Sequence, residues 1–418
     1  MTKSSGTILD GDSRPRRGEA QEGPSTKSSG TILDGDSRPR RGEAQEGPST
    51  KSSGIRALDI VVFGLSITSA WGNGHATTYR ALLRALAERG HAVRFFERDM
   101  PWYAKHRDLR QPPYARTELY SSLEELRERL GDEIQADLLM IGSYVPEAVR
   151  LAEWALPRAT GLTAFYDIDT PVTVGHLEHG DCEYLTPKLV PRFDLYLSFA
   201  GGPILERLHT HFGARRPRPL YCSVDPRDYF PVRAAKRYRL GYLGTYSADR
   251  QPALERLLLE PARRLPRARF CVAGAQYPED MVWPHNVVRV EHLAPAAHRD
   301  FYNGQRFTLN ITRARMVANG YAPSVRLFEA SACEVPIITD EWPGLEEFFI
   351  PGREVLVART TAEALRILEE TDAEEAGRIA LRARERVLQS HTATVRAMEL
   401  ERYVAEAWRR PCAVKVAI

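Results

Sequence analysis

The chain has 418 residues, 43% of them apolar, which is enough to build a core in each of two domains of ordinary size. With 58 basic and 55 acidic residues the net charge is only +3, so composition makes no case for a nucleic-acid partner. Five cysteines without a C-x-x-C pair argue against a disulfide framework or a zinc site and for a reducing cytoplasm, and no apolar run reaches the roughly 18 residues of a membrane span.

Residues 2–25 recur unchanged at 26–49, and TKSSG opens a third copy at 50–54. Each copy offers only Ile and Leu as sizeable apolar residues among Gly, Ser, Pro and charge, so residues 1–54 are expected to be a disordered tail and not a solenoid. The N-terminus also lacks the apolar stretch of a signal peptide, so the protein is expected to stay in the cytoplasm.

Order is expected from Leu58–Leu65, an apolar run that reads as a buried strand. A loop with Gly72, Asn73, Gly74 and His75 follows, then a helix through Leu82, Leu83, Leu86 and Ala87 that stops at Gly90, then a strand at Ala92–Phe96. Further strands are predicted at Leu138–Ile141, Thr163–Tyr166 and Leu195–Phe199, with helices at Leu123–Leu130 and Glu147–Ala155 between them. This alternation predicts an α/β domain over residues 55–225, a parallel sheet with helices on both faces.

Asp225–Lys236, with two prolines and three basic residues, reads as a linker. A second unit over 239–390 starts with the strand Leu240–Leu243, the polar loop Gly244–Arg250 and the helix Pro252–Leu265, and continues with strands at Phe270–Ala273, Val287–Val290 and Phe307–Ile311. Near its end, in YAPSVRLFEASACEVPIIT, Pro323 or Ser324 opens a helix whose unpaired N–H groups suit an anion. Glu329 lies about one and a half turns in, on the side of Val325 and Arg326, and the short apolar run Pro336–Thr339 follows. Helices are predicted at Thr361–Glu370 and Glu374–Leu388, and a last one from Thr394 to Ala407 lies in a terminal segment, 391–418.

The motifs GNGHATTYR, FYDIDTP, LGYLGTYSADR and PSVRLFEASAC, in this order over residues 55–410, resemble the glycosyltransferases of the two-Rossmann B-type fold, most closely the CgeB-like (spore maturation) branch. The resemblance implies two Rossmann-like domains facing a cleft, with the final helix crossing back onto the first domain. It implies a sugar passed from a nucleotide diphosphate donor to a hydroxyl acceptor, with retention, without a metal or another cofactor. Nucleic acid is not an expected partner. Glu329 matches the second Glu of the family's E-x7-E pattern, which holds the donor ribose; Tyr321 stands where the first would be, and Glu334 replaces the usual Gly of the following turn.

By the same resemblance the loop of Gly72 and Gly74 faces the donor phosphates, and His75 either bonds a substrate hydroxyl or phosphate or caps its helix. The loop with Gly244 and Tyr246 supplies Arg250 to the diphosphate, and Gln276 and His292 fall near the nucleobase. Ser324 and Arg326 stand at the start of the anion-facing helix, where Arg326 either assists Arg250 or pairs with Glu329. Asp169, with Asp167 second, is the candidate acceptor-contacting or base-like carboxylate. Their D-x-D spacing also suits a divalent cation, but that motif belongs to the A-type fold. A nucleotide-sugar epimerase on the same fold and a non-catalytic sugar-nucleotide-binding or spore-coat-type protein stand as alternatives.

Overall fold

The computed structural model describes residues 56–71 and 74–409. The expected tail at 1–54, Gly72 and the residues from 410 onward lie outside the described residues.

Two parallel sheets are present. The first contains β1 (Asp59–Gly64), β2 (Ala92–Arg98), β3 (Arg116–Tyr120), β4 (Leu138–Gly142), β5 (Leu162–Asp167), β6 (Leu195–Ser198) and β7 (Pro217–Pro219), in the order β3-β2-β1-β4-β5-β6-β7. The second contains β8 (Tyr238–Leu243), β9 (Phe270–Ala273), β10 (Val287–Val290), β11 (Gln305–Asn310), β12 (Ile337–Thr339) and β13 (Leu356–Val357), in the order β10-β9-β8-β11-β12-β13. Each is a Rossmann-like sheet whose strand order reverses once, between β1 and β4 and between β8 and β11. At such a reversal the flanking loops diverge and leave a crevice at the carboxyl ends of the strands.

The apolar runs form strands buried on both faces because side chains alternate across a sheet. Val61 and Phe63 of β1 enter one core, and Ile60 and Val62 enter the core on the other face. The second sheet repeats the arrangement, with Leu240, Tyr242, Phe270 and Val272 on one side and the helix Val325–Ala332 packed on the other. The predicted helices at Leu123–Leu130 and Thr361–Glu370 occur with those bounds, and Thr360 and Glu363 close a capping box on the latter.

Among the elements the sequence reading did not predict are β3, β7 and the helices Thr170–His179, Pro203–Thr210 and Pro295–Asn303. The two strands are the outer strands of their sheet and carry polar or proline-rich sequence, RTELY and PRP, without the apolar run that marks an inner strand. The helix after β1 begins at Gly74, so His75 lies in its first turn and not in the loop before it.

The last helix, Ala393–Arg409, packs against Gly74–Glu88 of the first half. Its Leu400, Tyr403 and Val404 share a core with Leu82, Leu83 and Leu86. Arg89 donates to both oxygens of Glu401 at 2.6 and 2.7 Å, a buried two-pronged bond that fixes the crossing. Among the described residues no helix is long and apolar enough to cross a membrane.

Candidate active site

The carboxyl ends of the two sheets border a cleft of about 610 Å³. Gly74, Trp71 and Trp102 line it from the first half, and Gly244, Gln276, His292, Arg326 and Glu329 line it from the second.

Arg326 and Glu329 reach the cleft because the helix Val325–Ala332 starts at the reversal beside β11 and presents one edge to it. Ser324 is the N-cap, yet its side chain makes no capping bond, which leaves the first N–H groups of the helix open to an anion. Arg326 is only 8% exposed. Its guanidinium donates to the Leu243 carbonyl at 2.5 Å, Asn310 Oδ1 at 2.9 Å and Ser324 Oγ at 3.2 Å, and it lies over the Tyr242 ring. None of these partners is a carboxylate, and among the described residues Arg326 forms no ion pair with Glu329. Glu329, 5% exposed, accepts from the Tyr302 hydroxyl at 2.8 Å, with Tyr229 beside it.

Arg250 follows the β8 loop. Its Nη2 donates to the Thr245 carbonyl at 2.6 Å, and its buried Nε has no partner among the described residues. Burial, and then the nearby Arg326 and Arg313, lowers its pKa, so three guanidinium groups are gathered at one end of the cleft. Asp249, next to Arg250 in sequence, is exposed and already accepts from Ser247 and from the Ala314 N–H. The loops are packed closely enough to demand glycine: a Cβ on Gly274, at φ 153°, would run into the Gly244 carbonyl, and Tyr277 donates to that same carbonyl at 3.1 Å.

On the opposite wall, buried Glu97 at the end of β2 accepts from the N–H groups of Ile67 and Thr68 at 2.7 and 3.0 Å. Arg80 adds a bond to the Ile67 carbonyl at 2.8 Å and pairs with Asp108, which accepts from the Ala70 N–H at 2.9 Å. The loop after β1 is thereby fixed at both ends of its path to Trp71, which stacks on His106 with ring centroids 4.6 Å apart. Trp71 and Trp102 are 47% and 51% exposed, high for tryptophan, and both face the cleft. His75 stands edge-on to Tyr144, and burial lowers its pKa to about 4, so the imidazole is neutral at physiological pH.

Asp167 ends β5, and Asp169, two residues on, is the N-cap of the helix Thr170–His179, its N–H donating to Asp167 Oδ1 at 3.3 Å. Asp167 is fully buried, accepting from Tyr196 at 2.6 Å and Thr173 at 2.6 Å. Desolvation raises its pKa to about 6 against these bonds. Asp169 is nearer the surface, accepts from the Tyr144 hydroxyl at 3.2 Å, and pairs across the halves with Arg313 at 3.4 Å. Burial raises its pKa, while Arg313 and Tyr144 oppose that rise. No group of three or more His, Cys, Asp or Glu suited to a metal occurs among the described residues.

The structure thus brings Gly74, Gly244, Gln276, His292, Arg326 and Glu329 to one cleft, with Arg250 and Ser324 directly behind Arg326. Tyr246 stands edge-on to Tyr277 at the side of the β8 loop. Asp169 joins the group only through Arg313, and Asp167 is beneath the surface. Sequence reasoning passed over Trp71, Trp102, Tyr302, Glu97 and Arg313. Arg313 had a usable signal, since it follows β11 at the carboxyl end, as Arg250 follows β8. Tyr321 is wedged where a Cβ on Gly202 or on Gly344 would strike its ring, and its backbone accepts from Gly201 and donates to Pro343. Glu334 keeps the left-handed conformation, φ 54°, that a glycine would adopt more readily.

Residues 250–402 match a sequence-family model described as "Glycosyl transferase-like". Among curated proteins, none matches the chain in sequence. The fold is similar to that of sucrose-phosphate synthase from Thermosynechococcus elongatus, with a TM-score of 0.64 at 14% identity over 84% of this chain and 99% of that one. Anabaena HepE, solved with UDP and glucose, gives a TM-score of 0.61 at 11% identity over 84% of this chain and all 100% of that one. The catalytic domain of starch synthase IV from Arabidopsis thaliana, bound to ADP and acarbose, gives 0.58 at 11% identity over 85% and 100%. The architecture is therefore the two-domain B-type glycosyltransferase fold.

Proposed function

We propose that the protein is a glycosyltransferase that moves a sugar from a nucleotide diphosphate donor to a hydroxyl acceptor, with retention and without a metal. The observation that carries this reading is the buried Arg326 beside Arg250 and Arg313, facing an uncapped helix start and lacking a carboxylate partner of its own. Burying a cation without a counterion is costly, and a diphosphate supplies the missing charge. The nucleotides bound in the fold relatives, UDP and ADP, are of the same class.

In this reading the diphosphate rests against Arg250, Arg313, Arg326 and the helix N–H groups, Glu329 accepts from the ribose hydroxyls, and the base lies near Gln276 and His292. The sugar points to the first half, where Trp71 and Trp102 offer flat apolar faces to the acceptor. The bond from the anomeric carbon to the phosphate oxygen breaks as the acceptor oxygen bonds to the same face. The acceptor proton passes to the departing diphosphate, whose growing charge the fixed guanidinium groups stabilise without reorganising. Asp169 orients the acceptor hydroxyl, and donor phosphate competes with it for Arg313.

The test is calorimetry with UDP, ADP, GDP and dTDP, followed by mass spectrometry of products from the matching sugar nucleotides and a panel of hydroxyl acceptors. Tight nucleotide binding with a glycosylated product of retained configuration supports the proposal. Binding without transfer to any acceptor would sink it, and a rearranged sugar nucleotide would make the protein an epimerase.

A further inference from the structure

The second sheet has another charged rim, at the end away from the cleft. Lys236 and Arg237 lead into β8, Arg239 is its second residue, Arg267 and Arg269 lead into β9, and Arg306 is the second residue of β11. These three strands are neighbours in the order β9-β8-β11, so the six side chains converge on one depression of about 640 Å³ at their amino ends. A six-residue strand such as β8 separates that rim from the cleft by roughly 20 Å at about 3.3 Å per residue.

No carboxylate lines the depression, and none of the six forms an ion pair among the described residues. A seventh basic residue at its edge, Arg264, is satisfied by Glu260 of its own helix. Two of the six are held by neutral groups: Lys236 donates to the Asn303 carbonyl at 3.0 Å and Arg306 to the Thr371 carbonyl at 2.6 Å. These bonds aim the cations, and Glu334 near Lys236 and Asp372 near Arg306 offset them only from outside the depression, without forming an ion pair. Burial lowers the pKa of both, and Arg239 beside Arg306 adds like-charge repulsion. Arg237, Arg267 and Arg269 are exposed, with Arg269 lying over the Tyr238 ring.

We infer that this rim is a second anion site, separate from the cleft, that binds a compact phosphate-bearing ligand. The positive charge is confined to one concavity walled by Leu265 and Pro266 and does not extend as a stripe, which suits several clustered phosphate oxygens better than a nucleic-acid backbone. Two sources share this chemistry, a soluble oligophosphate and a phospholipid headgroup.

Inorganic tripolyphosphate titrated into the full chain by calorimetry tests the site, alongside co-sedimentation with vesicles of phosphatidylcholine alone or mixed equally with phosphatidylglycerol. The variants are Arg267→Glu/Arg269→Glu at the rim and Arg250→Ala as the cleft control. The exposed rim positions leave folding unchanged, checked by melting temperature, and Arg267→Gln/Arg269→Gln serves as a milder second pair. Rim binding is expected to weaken more than tenfold in the Glu pair, to persist in Arg250→Ala, and to fall steeply with salt. Pelleting with anionic vesicles that the Glu pair abolishes assigns the lipid source; tripolyphosphate binding without pelleting assigns the soluble one. The inference is overturned if neither probe binds at low salt, or if the Glu pair binds as the parent does. Sugar transfer is read separately and should survive in the rim variants, so failure here leaves the proposed activity standing, and the reverse.

Discussion

On the wall built by the second sheet, Arg326 and Arg250 are buried against carbonyls, a hydroxyl and an amide. On the wall built by the first sheet, Asp167 and Asp169 are buried against tyrosine and threonine hydroxyls. Arg326 and Arg250 on one wall and Asp167 on the other are held by neutral hydrogen-bonding groups and not by ion pairs, Glu329 is the second wall's own buried carboxylate, and the Asp169–Arg313 pair is where the walls meet. Such charge is expensive unless a ligand completes it. The contrast assigns the anionic part of a substrate to one wall and a hydroxyl to the other.

The largest effect should come from breaking the cationic wall. Arg326→Ala is expected to weaken nucleoside diphosphate binding by about 100-fold, corresponding to roughly 3 kcal/mol for a desolvated charged bond. Arg326→Lys should recover only part of it, because a point charge cannot hold Leu243, Asn310 and a phosphate together. Calorimetry decides this, and an unchanged Kd would dissolve the distinction between the walls.

Removing the acidic side should act on turnover. Asp169→Asn is expected to lower kcat by about 100-fold, as the loss of a carboxylate that orients the acceptor oxygen does, and to leave nucleotide affinity unchanged or tighter because Arg313 is released. The raised pKa of Asp169 also fixes a direction: as pH falls, kcat should decline at a higher pH than an ordinary aspartate would allow, and Asn should flatten that limb. An equal loss of nucleotide affinity would place Asp169 on the donor side.

A smaller effect tests whether Glu329 acts on the ribose. Glu329→Gln should weaken UDP or its preferred counterpart about tenfold, one charge-assisted hydrogen bond, while inorganic pyrophosphate binding stays constant. A matching fall in melting temperature and affinity would instead make the Tyr302–Glu329 bond a structural one. Trp71→Ala should raise the acceptor KM several-fold and leave the nucleotide Kd alone.

The two walls also differed in how far they were legible in the sequence. Arg250, Arg326 and Glu329 stand on or next to regular elements, so their spacing from a predicted strand or helix start was enough to bring them together. The other wall is made of loops. Trp71 sits in polar, glycine-rich sequence where no periodicity marks exposure, and Glu97 and Asp108 act on that loop from roughly 30 to 40 residues away, a contact that only the folded chain creates. Asp167 and Asp169 looked equivalent in FYDIDTP, and the strand end separates them: one is sealed under Tyr196 and Thr173, the other reaches Arg313.

That separation leads to a last expected effect, outside the substrate-binding comparison, and it is read in stability and not in catalysis. Asp167 has its pKa raised from 3.8 to about 6 in the folded chain, so between these values the native state binds more protons than the unfolded one. The stability this proton contributes is fully present below pH 3.8 and is lost as pH rises through about 6. Asp167→Asn stays neutral throughout, and its amide still accepts from one of the two hydroxyls. The melting temperature of the variant relative to the parent should therefore climb by a few degrees between pH 4 and pH 7, following roughly two pKa units of linkage, about 3 kcal/mol. A difference that stays flat over this range would mean that Asp167 is ionised in the native state at pH 4. The first wall would then hold two buried negative charges, and Arg313 would be needed to hold the halves in register as well as to meet the donor.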